Sequence, residues 1–116
     1  MMAVSDDDQY HAFDTVTDAL MWSGWVTHYR HNGDRRNRHG SLRPFTADDV
    51  IMQLNKAVNQ GKLTVDHARV AKYFIKQQRL PDHGDRDWLH DIWQEVIEVL
   101  EPLLKQKGYV YDKARI

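Results

Sequence analysis

Apolar side chains recur along this chain at helical rather than alternating intervals. Between about Asp6 and Tyr29, the residues Phe13, Val16, Leu20 and Val26 fall close to a 3.6-residue period, with Trp22 and Trp25 beside them. Asp6, Asp7 and Asp8 stand where the positive end of a helix dipole favours carboxylates. Ser23-Gly24 interrupts the period and predicts a bend or break. His31-Asn32-Gly33-Asp34 stops it, because Asn-Gly favours a turn. A loop then runs over residues 31–45, with Gly33, Gly40 and Pro44 among its arginines.

Thr46-Ala47-Asp48-Asp49 opens a second helix, with Thr46 as N-cap and Asp49 in the third place of a capping box. Ile51, Leu54 and Val58 mark its apolar face, flanked by Val50 and Ala57, and Gly61 is placed to end it. Thr64 predicts a third N-cap. That helix carries Ala68, Ala71, Phe74 and Ile75 to about Arg79, where Pro81 closes it. After a turn over Asp82–Asp85, a long stripe from Trp88 through Trp93, Val96, Leu100 and Leu104 predicts the last helix. Pro102 bends or ends that helix locally, and Gly108 ends the helical region. Tyr109-Val110-Tyr111 alternates like a short strand but is expected to pack as a tail. The expectation is one all-α domain over residues 1–116, a compact bundle of about four helices. Residues 1–5 and 109–116 are expected as flexible or packed tails.

Length and composition agree with that picture. A chain of 116 residues can bury one core, and 41% hydrophobic with 28% charged residues is ordinary for a globular protein. No apolar run approaches the roughly 20 residues of a spanning helix, so no membrane is expected. Cysteine is absent, which excludes disulfides and thiolate chemistry and suits a reducing cytoplasm.

The net charge of −1 hides strong segregation. Residues 1–20 hold five acids and no bases; residues 81–101 hold seven acids against Arg86. Between them lie two basic blocks. The first is the loop with Arg30, Arg35, Arg36, Arg38 and Arg43. The second is a helical stripe of Arg69, Lys72, Lys76 and Arg79, at spacings of three, four and three. Guanidinium forks suit phosphate oxygens and guanine edges, so both blocks are candidate nucleic-acid contacts on one phosphate-tracking surface. The same arginines could instead neutralise the acidic blocks within the fold. Asp91, Glu95 and Glu98, on the polar side of the last helix, are candidate contacts to a basic protein partner.

Catalytic signatures are missing. There is no Gly-rich phosphate loop, nucleophile elbow or His-Glu-x-x-His. His83, Asp85, Asp87, His90 and Asp91 lie close in sequence but lack fixed i, i+4 histidine spacing, and read better as a solvated acidic helix start. No enzyme activity, metal or cofactor is expected. The tryptophans are expected in the core, Trp88 and Trp93 on the last stripe and Trp22 and Trp25 by default.

The order Leu20-Met21-Trp22-Ser23-Gly24-Trp25-Val26, a basic stretch from Arg30 to Arg43, and Thr46-Ala47-Asp48-Asp49-Val50 resembles the phage Q-type late-gene antitermination proteins. Lys72-Tyr73-Phe74 and the long helix from Trp88 to Leu104 resemble parts of that family's C-terminal helix–turn–helix half. The resemblance implies a DNA-binding transcription regulator that engages double-stranded DNA near a promoter and acts on RNA polymerase. The sequence departs from the family in the long turn Leu80–Arg86, with Pro81, and in the acidic opening of the last helix. Carboxylates facing phosphates repel, so DNA contact shifts to Arg35, Arg36, Arg38 and Arg43, or to Lys72, Lys76 and Arg79. Two further readings stand beside this one. A small phage-encoded inhibitor of a host machine would use the acidic face from Asp82 to Glu101. An assembly protein would use the stripe of the last helix, wide for a four-helix core, to form a homodimer.

Overall fold

A computed structural model describes residues 12–29 and 44–112 of the chain. The described residues form four helices: α1 (Val16–Tyr29), α2 (Ala47–Asn59), α3 (Val65–Gln77) and α4 (Asp87–Lys107). The all-α bundle expected from periodicity is the architecture observed. Helix α1 packs mainly on α2 and α3, and α4 mainly on α3 and α2, which leaves α1–α4 and α2–α3 as the looser diagonals.

The first three helices start where a side chain satisfies open backbone donors. Thr15 Oγ1 accepts the Asp18 N–H at 3.1 Å, so α1 begins after Thr15. The helix expected from Asp6 therefore does not include residues 12–15, and residues 6–11 lie outside the described residues. Thr46 and Asp49 form the expected capping box of α2: the Asp49 N–H donates to Thr46 Oγ1 (3.2 Å) and the Thr46 N–H to Asp49 Oδ2 (2.8 Å). At α3 the same device uses a histidine. The His67 N–H donates to Thr64 Oγ1 and the Thr64 N–H to His67 Nδ1, both at 3.2 Å. Helix α4 starts at Arg86 with no side-chain cap.

The buried stripes meet in one core. Val16, Ala19, Leu20 and Val26 come from α1; Val50, Leu54 and Ala57 from α2; Ala68, Ala71, Phe74 and Ile75 from α3. Trp93, Val96, Leu100 and Leu104 supply the α4 side. On α2 the deepest line is Val50–Leu54–Ala57, while Ile51 and Val58 are only half-buried, a rotation of the face expected from sequence. Leu89, Ile92, Ile97, Val99 and Leu103 of the wide α4 stripe are partly buried against the same core.

Three expectations are corrected. Ser23-Gly24 does not break α1, which runs unbroken through it; the Ser23 hydroxyl donates to Ala19 O (2.8 Å), one turn back. Gly24 instead lets α3 come close: a Cβ there would lie 2.2 Å from Ile75 Cγ2 and 2.6 Å from the Ile75 carbonyl oxygen. Helix α4 does not end at Pro102, whose exposed position puts the missing hydrogen bond on the solvent side, and continues to Lys107 before Gly108 (φ 82°). Trp88 is not core but 53% exposed, five residues ahead of Trp93, the first buried position of α4, and Trp25 is exposed as well. Residues 109–112 pack against the fold, as expected of this tail. Phe13 and Val110 form a parallel bridge, in which the Phe13 N–H donates to Tyr109 O (2.9 Å) and the Tyr111 N–H to Phe13 O (2.7 Å). Phe13, Trp22, Phe45 and Tyr109 stack around it, with ring centroids 4.5–6.3 Å apart.

Candidate functional site

The close approach of Gly24 to Ile75 lies at the bottom of a cleft of about 270 Å3 between α1, α2 and α3. Its floor is Ser23, Gly24 and Ile75, all buried, with the half-buried Ile51 on the α2 side. Its rim is exposed and charged. Thr27 and His28 come from the last turns of α1, Asp48 from the first turn of α2, and Lys72 and Lys76 from one face of α3. The Lys72 ammonium donates to Asn55 Oδ1 of α2 (3.1 Å), which holds it along the α2–α3 seam.

Helix α1 ends one residue after His28, and α2 begins at Ala47, beside Asp48. Arg30, Arg35, Arg36, Arg38 and Arg43 lie outside the described residues.

The rest of the basic stripe divides. Arg69 is exposed on α3, with a loose 3.6 Å ion pair to Asp66. Arg79 does not continue the stripe, because α3 ends at Gln77 and Gln78 adopts a left-handed conformation (φ 56°). That turn lets Gln78 Nε2 donate to Met21 O (2.9 Å) and Ile75 O (2.7 Å), bonding α1 to the end of α3. Arg79 then faces Asp85 in a two-pronged pair, Nη1 to Oδ2 at 2.8 Å and Nη2 to Oδ1 at 3.2 Å, with its guanidinium against the rings of Tyr73 and Phe74. Asp85 also accepts the Asp82 N–H (2.9 Å). The guanidinium, and next the Asp82 N–H, hold the Asp85 carboxyl at about 2, below its usual 3.8, while Asp85 raises Arg79 further above its already high range. Arg79 is thus a staple of the α3–α4 connection.

No family model matches this sequence, and no curated protein or solved structure matches it.

The acidic face of α4 is partly engaged. Glu95 Oε1 lies 2.6 Å from His67 Nε2. Since His67 Nδ1 accepts the Thr64 N–H, Nε2 carries the proton and donates to the carboxylate. Asp91 and Glu98 are exposed, Glu98 accepting from Gln94 Nε2 at 3.3 Å. The sequence cluster from His83 to Asp91 is dispersed among structural bonds: Asp85 holds Arg79, and His90 Nε2 bonds the Asp82 carbonyl (2.7 Å). Among the described residues no group of three or more such side chains could hold a metal ion, and no helix is long and apolar enough to cross a membrane. The connection between α3 and α4, residues 78–86, is also longer than the 3–4-residue turn of a helix–turn–helix. Sequence reasoning missed the cleft floor. Its signal was the Ser23-Gly24 pair, since two small residues in mid-helix permit close approach as readily as a bend.

Proposed function

We propose that the chain is a nucleic-acid-binding transcription regulator that contacts double-stranded DNA through the α1–α3 rim and the segment bearing Arg30, Arg35, Arg36, Arg38 and Arg43. One observation carries this reading: Lys72, Lys76 and His28 line one rim. Charges spread round the molecule would average out, whereas charges gathered on one face raise the local potential toward a polyanion. The resemblance to phage antitermination proteins extends this to action on RNA polymerase, with the exposed carboxylates of α4 facing a basic protein surface. Such a protein makes and breaks no bonds and acts by binding.

The test is binding to a fluorescent random-sequence duplex across about 50 to 200 mM salt, beside an Arg35/Arg36/Arg38→Ala variant. Salt-steep binding that weakens in the variant is the expected result. Failure to bind at the lowest salt overturns the reading. A second reading is favoured by exposed Asp91 and Glu98 on α4 together with exposed Trp88. It makes the chain an inhibitor of a host machine through that face, and predicts that reversing Asp91 and Glu98 abolishes activity while the arginine variant keeps it.

A further inference from the structure

Three large apolar side chains stand in water where α3 turns into α4. Tyr73 on α3, Leu80 in the connection and Trp88 in the first turn of α4 are 49%, 49% and 53% exposed. Arg79 ties their segments together. Its guanidinium lies 5.8 Å from the Tyr73 ring centroid, its Nη1 donates to the Leu80 carbonyl (3.3 Å), and it holds Asp85, three residues before Trp88. Since Asp85 takes up that charge, Arg79 frames the patch without making it cationic. The other charges here are mostly carboxylates. Asp87 and Asp91 are exposed on either side of Trp88, one turn apart, where two like charges repel. Asp82 is exposed in the connection, its Oδ1 accepting the Gly84 N–H (2.8 Å) and its Oδ2 3.9 Å from Arg79 Nη1. Arg86 and His83 are the exposed basic groups of the same stretch.

We propose that this end of the bundle docks a basic amphipathic helix of a partner protein, with Trp88 as the central anchor. The proposal deepens, and rests on, the reading in which the α4 carboxylates face a basic protein surface. Glu95 meets His67, Trp93 meets Phe74 and Asp85 meets Arg79, so α3 and α4 run antiparallel and their seam gives a partner helix a track. An extended partner needs an open strand edge, and among the described residues the isolated Phe13–Val110 bridge is the one extended pairing. The apolar face of the helix covers Trp88, Leu80 and Tyr73, and its lysines or arginines meet Asp82, Asp87 and Asp91. Aromatic anchors ringed by polar contacts dominate the energy of such interfaces. The same carboxylates repel an acidic partner.

The probe is a fluorescein-labelled leucine–lysine peptide of about 18 residues, roughly five helical turns, with its leucines on one face. An isomer of alternating leucine and lysine has the same composition and no apolar helical face. The full chain should bind the amphipathic peptide with a Kd on the order of 10–100 μM, at least about fivefold more tightly than the isomer. Shifts in 1H–15N spectra should centre on Leu80, Asp82, Trp88 and Asp91. Trp88→Ser and Leu80→Ser, both at exposed positions, should each weaken binding about tenfold with the remaining spectrum preserved. Asp87→Asn/Asp91→Asn should weaken it about threefold and flatten its salt dependence. Duplex DNA binding should be the same in Trp88→Ser as in the unaltered chain, which separates this site from the lysine rim. Equal affinity for the two peptides, or unchanged affinity in both serine variants, overturns the docking site. If the asparagine pair still weakens binding in that case, the acidic face stands without its apolar anchor. No binding at low salt, or affinity indifferent to the asparagine pair as well, overturns both.

Discussion

Gly24 sits where α1 and α3 come so near that even one methyl group has no room. A Cβ would meet both Ile75 Cγ2 and the Ile75 carbonyl oxygen, and backbone cannot move aside as a flexible side chain can. Gly24→Ala should therefore cost on the order of 1–3 kcal/mol through overpacking, read as a drop of several degrees in thermal midpoint. Removing Cγ2 with Ile75→Ala should not restore the midpoint, because the carbonyl contact stays. Arg79 and Asp85 make a second residue-scale case, where the observable is pH. A carboxyl held at about 2 when folded, against 3.8 when free, contributes stability that is fully present above pH 3.8. That contribution is lost as pH falls through about 2. Asp85→Asn should flatten this part of the stability–pH profile in acid thermal melts. Parallel profiles would mean that the pair adds nothing beyond geometry.

At the scale of elements, capping chemistry was the most legible feature of the sequence. Thr46 with Asp49, and Thr64 three residues before His67, fix the starts of α2 and α3 to the residue. Thr46→Ala and Thr64→Ala should each cost about 1 kcal/mol, measured by denaturant unfolding. His67→Ala should cost more than Thr64→Ala, since it also breaks the bridge from α3 to Glu95 of α4. What periodicity could not show was contact between distant segments. Phe13 keeps helical spacing with Val16 and Leu20, but a strand-like bridge to Val110 competes for its backbone and Thr15 starts the helix after it. Trp88 belongs to the apolar stripe by spacing, yet α4 begins beyond the reach of its partners and leaves that ring in solvent. Arg79 matched the basic stripe only as long as α3 was assumed to continue, and the left-handed Gln78 ended it two residues earlier. The site was legible to the same degree: Lys72 and Lys76 were found as a stripe, whereas the floor of Gly24, Ile51 and Ile75 comes from three helices that no local pattern links.

Among the described residues the two lysines of the cleft rim, Lys72 and Lys76, belong to α3, while exposed Asp87, Asp91, Glu98 and Glu101 belong to α4. This separation makes a quantitative prediction for salt dependence. Each phosphate neutralised by a lysine releases condensed counterions, so log affinity falls against log salt with a slope of about −0.9 per contact on duplex DNA. If Lys72 and Lys76 both sit on phosphates, the Lys72→Gln/Lys76→Gln variant should lose close to 2 from that slope and weaken all duplexes alike, because phosphate contacts carry no sequence information. Charge reversal of Asp91 and Glu98 should do the opposite. It removes like-charge repulsion at a distance, so affinity at low salt should rise a little while the slope changes by less than about 1. A slope that drops equally with both sets of changes would mean that the duplex responds to net charge alone. The rim would then not be where it docks.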